Sequence, residues 1–196
     1  MIESLLNKMP YRYIPNFLSF SRIVLSLFFI FFMFTDSRIA AFITFFICSV
    51  SDILDGYIAR KYNFQTDFGR YLDPFADKIL VLSGFIILHV FYSNSIPLWM
   101  IAIIICRDLA VTLLRWFLLI KGRVMFTSNF SKLKTLYQII VIHIILLFHI
   151  YNSELIFSLR FFSINLIFFL MLLCVIYTVI SGAHYYIINL KNLINE

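Results

Sequence analysis

Charge is the scarcest property of this 196-residue chain. Only 13% of its residues are Asp, Glu, Lys or Arg, whereas soluble domains carry about 25%. With 62% hydrophobic residues and a mean hydropathy of +0.95, the composition excludes an ordinary water-soluble domain and indicates an integral membrane protein. Cysteine is scarce too, because only Cys48, Cys106 and Cys174 are present, singly and in apolar runs. This excludes a disulfide framework, and we expect three buried free thiols.

Six apolar stretches predict an all-α protein with six membrane-spanning helices. The stretches cover roughly 16–35, 38–60, 68–92, 97–120, 132–151 and 161–188, each close to the length that a bilayer requires. Residues 1–15 mix apolar and basic side chains and are predicted to lie on the bilayer surface as an amphipathic interfacial segment. The sequence shows no repeat or second domain, so we expect residues 1–196 to form a single domain with its spans within 16–190.

The basic residues predict the orientation. With the N-terminus inside, ten Lys and Arg fall in inner segments and only Arg38 and Arg160 in outer loops. Positive residues accumulate on the cytoplasmic side of membrane proteins. We therefore expect a multi-pass protein of the inner (cytoplasmic) membrane with its active site facing the cytoplasm.

Acidic residues are few, and half of them are concentrated in one region. Of the ten in the chain, five fall between Asp52 and Asp77. On helices, Asp52 and Asp55 share one face, and Asp73 and Asp77 share another. A carboxylate at the centre of a membrane helix costs roughly 2.5–3.5 kcal/mol, so four of them need compensating charge. Carboxylate oxygens suit hard cations such as Mg²⁺ or Mn²⁺, and we predict a metal site.

Basic side chains are also expected near these carboxylates. Arg107 and Arg115 lie in the inner half of the fourth stretch, and Lys132 and Lys134 open the fifth. The predicted topology allows one cytoplasmic cavity to collect the cations and the aspartates. Anion-binding cations beside a metal-binding acid cluster indicate a phosphorylated substrate.

The acidic region resembles the signature of the CDP-alcohol phosphotransferase family. It reads Asp52-x2-Asp55-Gly56-x2-Ala59-Arg60 and, after eight residues, Gly69-x3-Asp73-x3-Asp77. The resemblance implies transfer of a phosphatidyl or related group from a CDP-linked donor to an alcohol, with release of CMP. It also implies that Asp52, Asp55 and Asp73 bind two divalent cations, and that Asp77 completes the cluster and acts as general base.

The resemblance further implies a binding surface for the CDP donor. Gly56, Ala59 and Gly69 leave room for the nucleotide, Arg60 can pair with a phosphate, and Asn16 is assigned to the donor as well. Helix packing remains an alternative role for the three small residues, and membrane anchoring remains one for Arg60.

Three other segments indicate which alcohol accepts the phosphatidyl group. Ile14-Pro15-Asn16-x-Leu-Ser19-x-x-Arg22 resembles the opening of phosphatidylglycerophosphate synthases and of cardiolipin synthases in the same superfamily. Arg107-Asp108-x6-Arg115 and Ser131-Lys132-x-Lys134-Thr135 resemble motifs of the glycerophosphate enzymes, which carry Glu and Gly where this chain has Asp108 and Ser131. The resemblance implies CDP-diacylglycerol and sn-glycerol 3-phosphate as substrates. The four cations Arg107, Arg115, Lys132 and Lys134 would bind the acceptor phosphate.

Other functions remain open at this point. A cardiolipin synthase would use phosphatidylglycerol as the acceptor, and a related enzyme would use an inositol phosphate. A transporter of metal ions or metabolites is the non-enzymatic alternative, because acids in adjacent spans can line an ion path; against it, the polar span residues all lie toward the inner side. We expect a lipid bilayer as partner and no nucleic acid; a homodimer remains an open alternative.

Overall fold

The computed structural model of the protein describes the backbone of residues 14–62, 67–120, 129–151 and 157–194. Side chains are described within 20–51, 78–120 and 133–189, except those at 115, 116, 119 and 152–164. The described backbone contains six helices. They are α1 (Ile14–Phe34), α2 (Arg38–Tyr62), α3 (Asp67–Phe91), α4 (Leu98–Ile120), α5 (Asn129–Tyr151) and α6 (Phe157–Ile194). The all-α prediction is confirmed within these ranges, and each helix overlaps one predicted stretch, although α6 extends beyond the predicted 161–188 at both ends. The predicted interfacial segment lies almost wholly outside the described residues.

Two helical stretches are long and apolar enough to cross a membrane, Leu133–Tyr151 and Asn165–Asn189. Three shorter apolar stretches lie in α1, α2 and α3, at Phe20–Phe34, Arg38–Ser51 and Lys78–Phe91, within the described residues. These helices indicate a membrane protein. Six complete spans remain a prediction.

The chain divides into two compact units, Met1–Ile87 and Leu88–Glu196. In the first unit α1 and α2 form an antiparallel hairpin, in which the rings of Phe29 and Phe45 lie 5.1 Å apart. The predicted break at Asp36 is the turn itself: Asp36 has a φ of 54°, a conformation that Asp tolerates better than most residues. Arg38 at the start of α2 donates to the Asp36 carboxylate at 2.8 Å, which fixes this turn.

The second unit is held together by α6, which packs against both α4 and α5. Each of the three helices buries one stripe of side chains, as helical periodicity requires. In α4 the stripe includes Ile104 and Val111; in α5 it includes Ile142 and Ile145. In each helix, part of the buried stripe consists of polar instead of apolar side chains. These polar side chains form the cluster described below.

The free thiols differ from the prediction at one position. Cys48 and Cys174 are buried, but Cys106 is exposed. The reason is its place on α4, because the neighbouring residues Arg107 and Asp108 turn toward α6 and α5 and leave Cys106 on the outer face. The expectation of three buried thiols is therefore wrong for Cys106.

Candidate active site

The predicted metal ligands lie on two consecutive helices. Asp52 and Asp55 belong to α2, and Asp73 and Asp77 belong to α3. Because the backbone of both segments is helical, the two members of each pair lie on one face of their helix. The four side chains lie outside those that the structure describes, and within the described set no group of three His, Cys, Asp or Glu residues could hold a metal. The donor set itself fits a hard divalent cation, because all four members are carboxylates.

The predicted donor-binding residues belong to the first three helices. Gly56, Ala59 and Arg60 follow the aspartates on α2, Gly69 precedes Asp73 by one turn on α3, and Asn16 lies in the first turn of α1. Their side chains are also outside the described set. Their assignment to the nucleotide donor stays a prediction.

Two of the four predicted phosphate-binding cations are described in full, and one carboxylate joins them. Lys134 on α5 donates from Nζ to both carboxylate oxygens of Asp108 at 2.6 Å. Arg107 on α4 donates from Nη1 to Asp108 Oδ1 at 3.0 Å. All three side chains are largely buried, with exposed fractions of 11% for Arg107, 16% for Asp108 and 4% for Lys134. The side chains of Arg115 and Lys132 lie outside the described set.

Helix α6 supplies the third side of this cluster. Arg107 donates from Nη2 to Ser181 Oγ at 2.9 Å. The Ser181 hydroxyl in turn donates to the backbone oxygen of Thr178 at 2.9 Å. Its proton is therefore used, and its oxygen is left to accept from the guanidinium. One turn earlier, Gln138 Nε2 lies 3.4 Å from Thr178 Oγ1 and repeats the pattern between α5 and α6.

The cluster is suited to binding an anion. Arg107 and Lys134 carry two positive charges, and Asp108 carries one negative charge, so these three residues retain one net positive charge. Their burial weakens screening by solvent and strengthens the attraction for an anionic group. Guanidinium and ammonium groups together bind phosphate by charge-assisted hydrogen bonds. The structure thus brings two predicted site residues together on a positively charged, buried cluster.

Sequence reasoning missed the residues that hold these cations. The sequence motifs mark Asp108 only as a replacement for Glu, and they indicate no role for Ser181 or Gly182. The available signal was the position of Asp108 in the buried stripe of α4, between Ile104 and Val111. A carboxylate at such a position requires a cationic partner. Arg22 was also left unassigned, although it is 1% exposed in the α1–α2 hairpin.

Comparison with known proteins decides the family. Residues 12–187 match the family described as CDP-alcohol phosphatidyltransferase. The chain belongs to this family. The match covers all of the predicted site residues, and it makes the protein a phosphatidyltransferase enzyme, as predicted, rather than a transporter.

Several curated proteins resemble the chain over about half to three quarters of their own length. A Bacillus subtilis protein named CDP-diacylglycerol--glycerol-3-phosphate 3-phosphatidyltransferase is 41% identical over 150 residues, which are 76% of this chain and 73% of the relative. A Rickettsia typhi protein of the same name is 33% identical over 68% of this chain and 76% of its own. A Mycobacterium tuberculosis protein named probable phosphatidylglycerophosphate synthase is 36% identical over 57% of this chain and 52% of the relative.

Proposed function

We propose that the protein is a phosphatidylglycerophosphate synthase, which transfers the phosphatidyl group of CDP-diacylglycerol to sn-glycerol 3-phosphate. The names of the relatives support this reaction. The observation that supports glycerol 3-phosphate as the acceptor is the buried, positively charged cluster that contains Arg107 and Lys134. Glycerol 3-phosphate carries a phosphate that such a cluster can bind, whereas a neutral alcohol offers no negative charge to the two cations.

Each group of residues has a distinct part in this reaction. Asp52, Asp55, Asp73 and Asp77 would hold two divalent cations, Mg²⁺ or Mn²⁺, which would neutralise the donor diphosphate when bound. Asp77 accepts the proton of the acceptor hydroxyl. The hydroxyl oxygen then bonds to the phosphorus that carries the diacylglycerol, the bond from that phosphorus to the CMP oxygen breaks, and CMP leaves.

The remaining residues bind and orient the two substrates. Gly56, Ala59 and Gly69 give the nucleotide space, and Arg60 and Asn16 contact the donor. On the acceptor side, Arg107, Arg115, Lys132 and Lys134 would bind the phosphate of glycerol 3-phosphate.

The direct test is CMP release from CDP-diacylglycerol by purified protein in detergent. Glycerol 3-phosphate should support release, while serine, inositol and free glycerol should not. Phosphatidylglycerol must be included, because Asp108 and Ser131 depart from the glycerophosphate motifs and a cardiolipin synthase would use it as the acceptor. Release with phosphatidylglycerol but not with glycerol 3-phosphate would replace the proposed function with a cardiolipin synthase.

The proposed setting is a lipid bilayer crossed by all six helices, with the N-terminus and the active site on the cytoplasmic side. The surface of the described helices supports this, because large apolar side chains remain exposed on them: Leu27 is 61% exposed, Phe34 64%, Leu113 64% and Ile120 75%. Water does not favour so much exposed apolar surface, whereas lipid does. A homodimer in the membrane is compatible with this surface.

This topology predicts which side of the membrane each loop reaches. In a background with the native cysteines replaced, Asn94→Cys should react with a membrane-impermeant maleimide from outside intact cells, and Asn63→Cys should react only after permeabilisation. Asn94 is a good probe because it is exposed, whereas the adjacent Ser95 is only 2% exposed and would react poorly on either side. Labelling of Asn63→Cys alone in intact cells would invert the proposed orientation.

A further inference from the structure

The least expected part of the cluster is the way Arg107 lies on helix α6. A Cβ atom built at Gly182 would lie 2.9 Å from Arg107 Cγ and 3.1 Å from Arg107 Nε. The stem of the arginine therefore passes directly over the backbone of α6, in space that any other residue at position 182 would fill. The end of the same side chain is bound to Ser181.

We infer that Ser181, Gly182 and Asp108 are positioning residues that fix Arg107 and Lys134 for the acceptor phosphate. The inference rests on the proposed function in taking the bound phosphate to be that of the acceptor. A free arginine side chain samples many rotamers, and this freedom is lost when it binds a ligand. Here the absence of a side chain at Gly182 leaves room for the stem, while Asp108 binds Nη1 and Ser181 binds Nη2. The two hydrogen bonds, made from that stem position, set the plane of the guanidinium before the substrate arrives.

Asp108 binds both cations but occupies only some of the N–H donors of Arg107. A guanidinium has five N–H donors, and among the described residues Arg107 donates only to Asp108 and Ser181. Each of these two bonds uses one N–H of Nη1 or Nη2, so the second N–H of each nitrogen remains for a phosphate. The one net positive charge of Arg107, Asp108 and Lys134 remains to attract it. A carboxylate that leaves donors and positive charge available can position the cations, whereas one that neutralised them would compete with the phosphate.

Gly182→Ala is the sharpest test, because it removes no polar group. Alanine normally favours a helix more than glycine does, so a loss on this substitution must come from the contact with Arg107. We expect the KM for glycerol 3-phosphate to rise about tenfold, as for loss of one charge-assisted hydrogen bond, while kcat and the KM for CDP-diacylglycerol change less than about twofold. An unchanged KM for glycerol 3-phosphate in folded Gly182→Ala protein would overturn the inference.

Ser181→Ala has a matched control in the same chain. Ser181 donates to the carbonyl of Thr178 at 2.9 Å, and Ser83 donates to that of Leu80 at 2.9 Å. Among the described side chains no arginine donates to Ser83. Both alanine variants lose one such backbone contact. Only Ser181→Ala should raise the KM for glycerol 3-phosphate, by a few-fold. Equal behaviour of the two variants would mean that Ser181 has only a structural role.

Variants of Asp108 show whether this carboxylate positions the two cations or competes with phosphate for them. Asp108→Asn should raise the KM for glycerol 3-phosphate by about ten-fold or more, because it weakens the contacts with both cations. Asp108→Glu, which keeps the charge, should restore a KM close to that of the wild type. A lower KM in Asp108→Asn would show that the carboxylate competes with phosphate, and loss of folded protein without rescue by Glu would show a structural role; either result contradicts the inference.

A binding measurement keeps this test independent of the proposed acceptor. Inorganic phosphate should raise the Tm of the wild-type protein in detergent, and Gly182→Ala should need about ten times more phosphate for the same rise. If wild-type protein releases no CMP with glycerol 3-phosphate, the proposed function fails while this comparison still decides the positioning role. Equal phosphate dependence in the two proteins, or none in the wild type, would overturn the inference.

Discussion

Asp55→Asn and Asp73→Asn should each lower CMP release by at least about a thousand-fold, because metal ions supply several kcal/mol of transition-state stabilisation and each 1.36 kcal/mol is tenfold in rate. Asparagine keeps the shape of aspartate but loses the charge that a divalent cation requires. EDTA should abolish the activity of the wild-type protein in the same way. Adding Mg²⁺ or Mn²⁺ in excess should restore it to the wild type and not to the variants.

Thermal stability gives this prediction a second measurement. Mg²⁺ should raise the Tm of the wild-type protein, since a ligand that binds only the folded state stabilises it, and should leave the Tm of Asp55→Asn nearly unchanged. Without metal, the variant should be at least as stable as the wild type, because it removes a carboxylate that is costly within a membrane helix.

Asp36→Asn is the matched control for the loss of a carboxylate. Asp36 lies in the turn before α2, is 68% exposed and pairs with Arg38, so this variant should keep full activity. Full activity of the wild type in a chelated sample would contradict the metal site, and the same loss in Asp36→Asn would mean that the assay reports folding rather than metal binding.

The helices of this protein could be predicted from the sequence almost completely. Long apolar runs specify helices in any membrane protein, and short polar segments such as the one at Asp36 specify the breaks. The aspartates are predicted to form a site because a carboxylate is rare within an apolar run. The order and spacing of their motif indicated the family, which the match over residues 12–187 confirms. In both cases the signal is local, since it lies within one helix or between two consecutive ones.

The contacts that hold Arg107 and Lys134 could not be predicted in the same way. Arg107 and Ser181 are far apart in the sequence, and no periodicity within α4 or α6 shows that they meet. Gly182 reads as one more small residue in an apolar helix, and its role depends on the path of a side chain from α4. Lys134 was expected to contact substrate, but its bond to Asp108 required the relative placement of α4 and α5.

Arg107→Ala should raise the KM for glycerol 3-phosphate strongly while changing the KM for CDP-diacylglycerol little. A hydrogen bond between charged groups contributes about 1.5–3 kcal/mol, so the expected rise is roughly ten- to a hundred-fold. The variant also leaves the cluster of Asp108 and Lys134 without net positive charge, which removes the long-range attraction for a dianion. Initial rates of CMP release at varied concentrations of each substrate measure both constants.

Two further variants decide between binding and anchoring. Arg38→Ala removes an arginine that pairs with Asp36 in the α1–α2 turn, and it should change neither KM. Arg107→Lys keeps the positive charge but loses the planar group that reaches both Asp108 and Ser181, so it should recover only part of the acceptor affinity. If Arg107→Ala lowers the Tm and the kcat but leaves the KM for glycerol 3-phosphate unchanged, then Arg107 anchors α4 to α6 and the acceptor phosphate binds elsewhere.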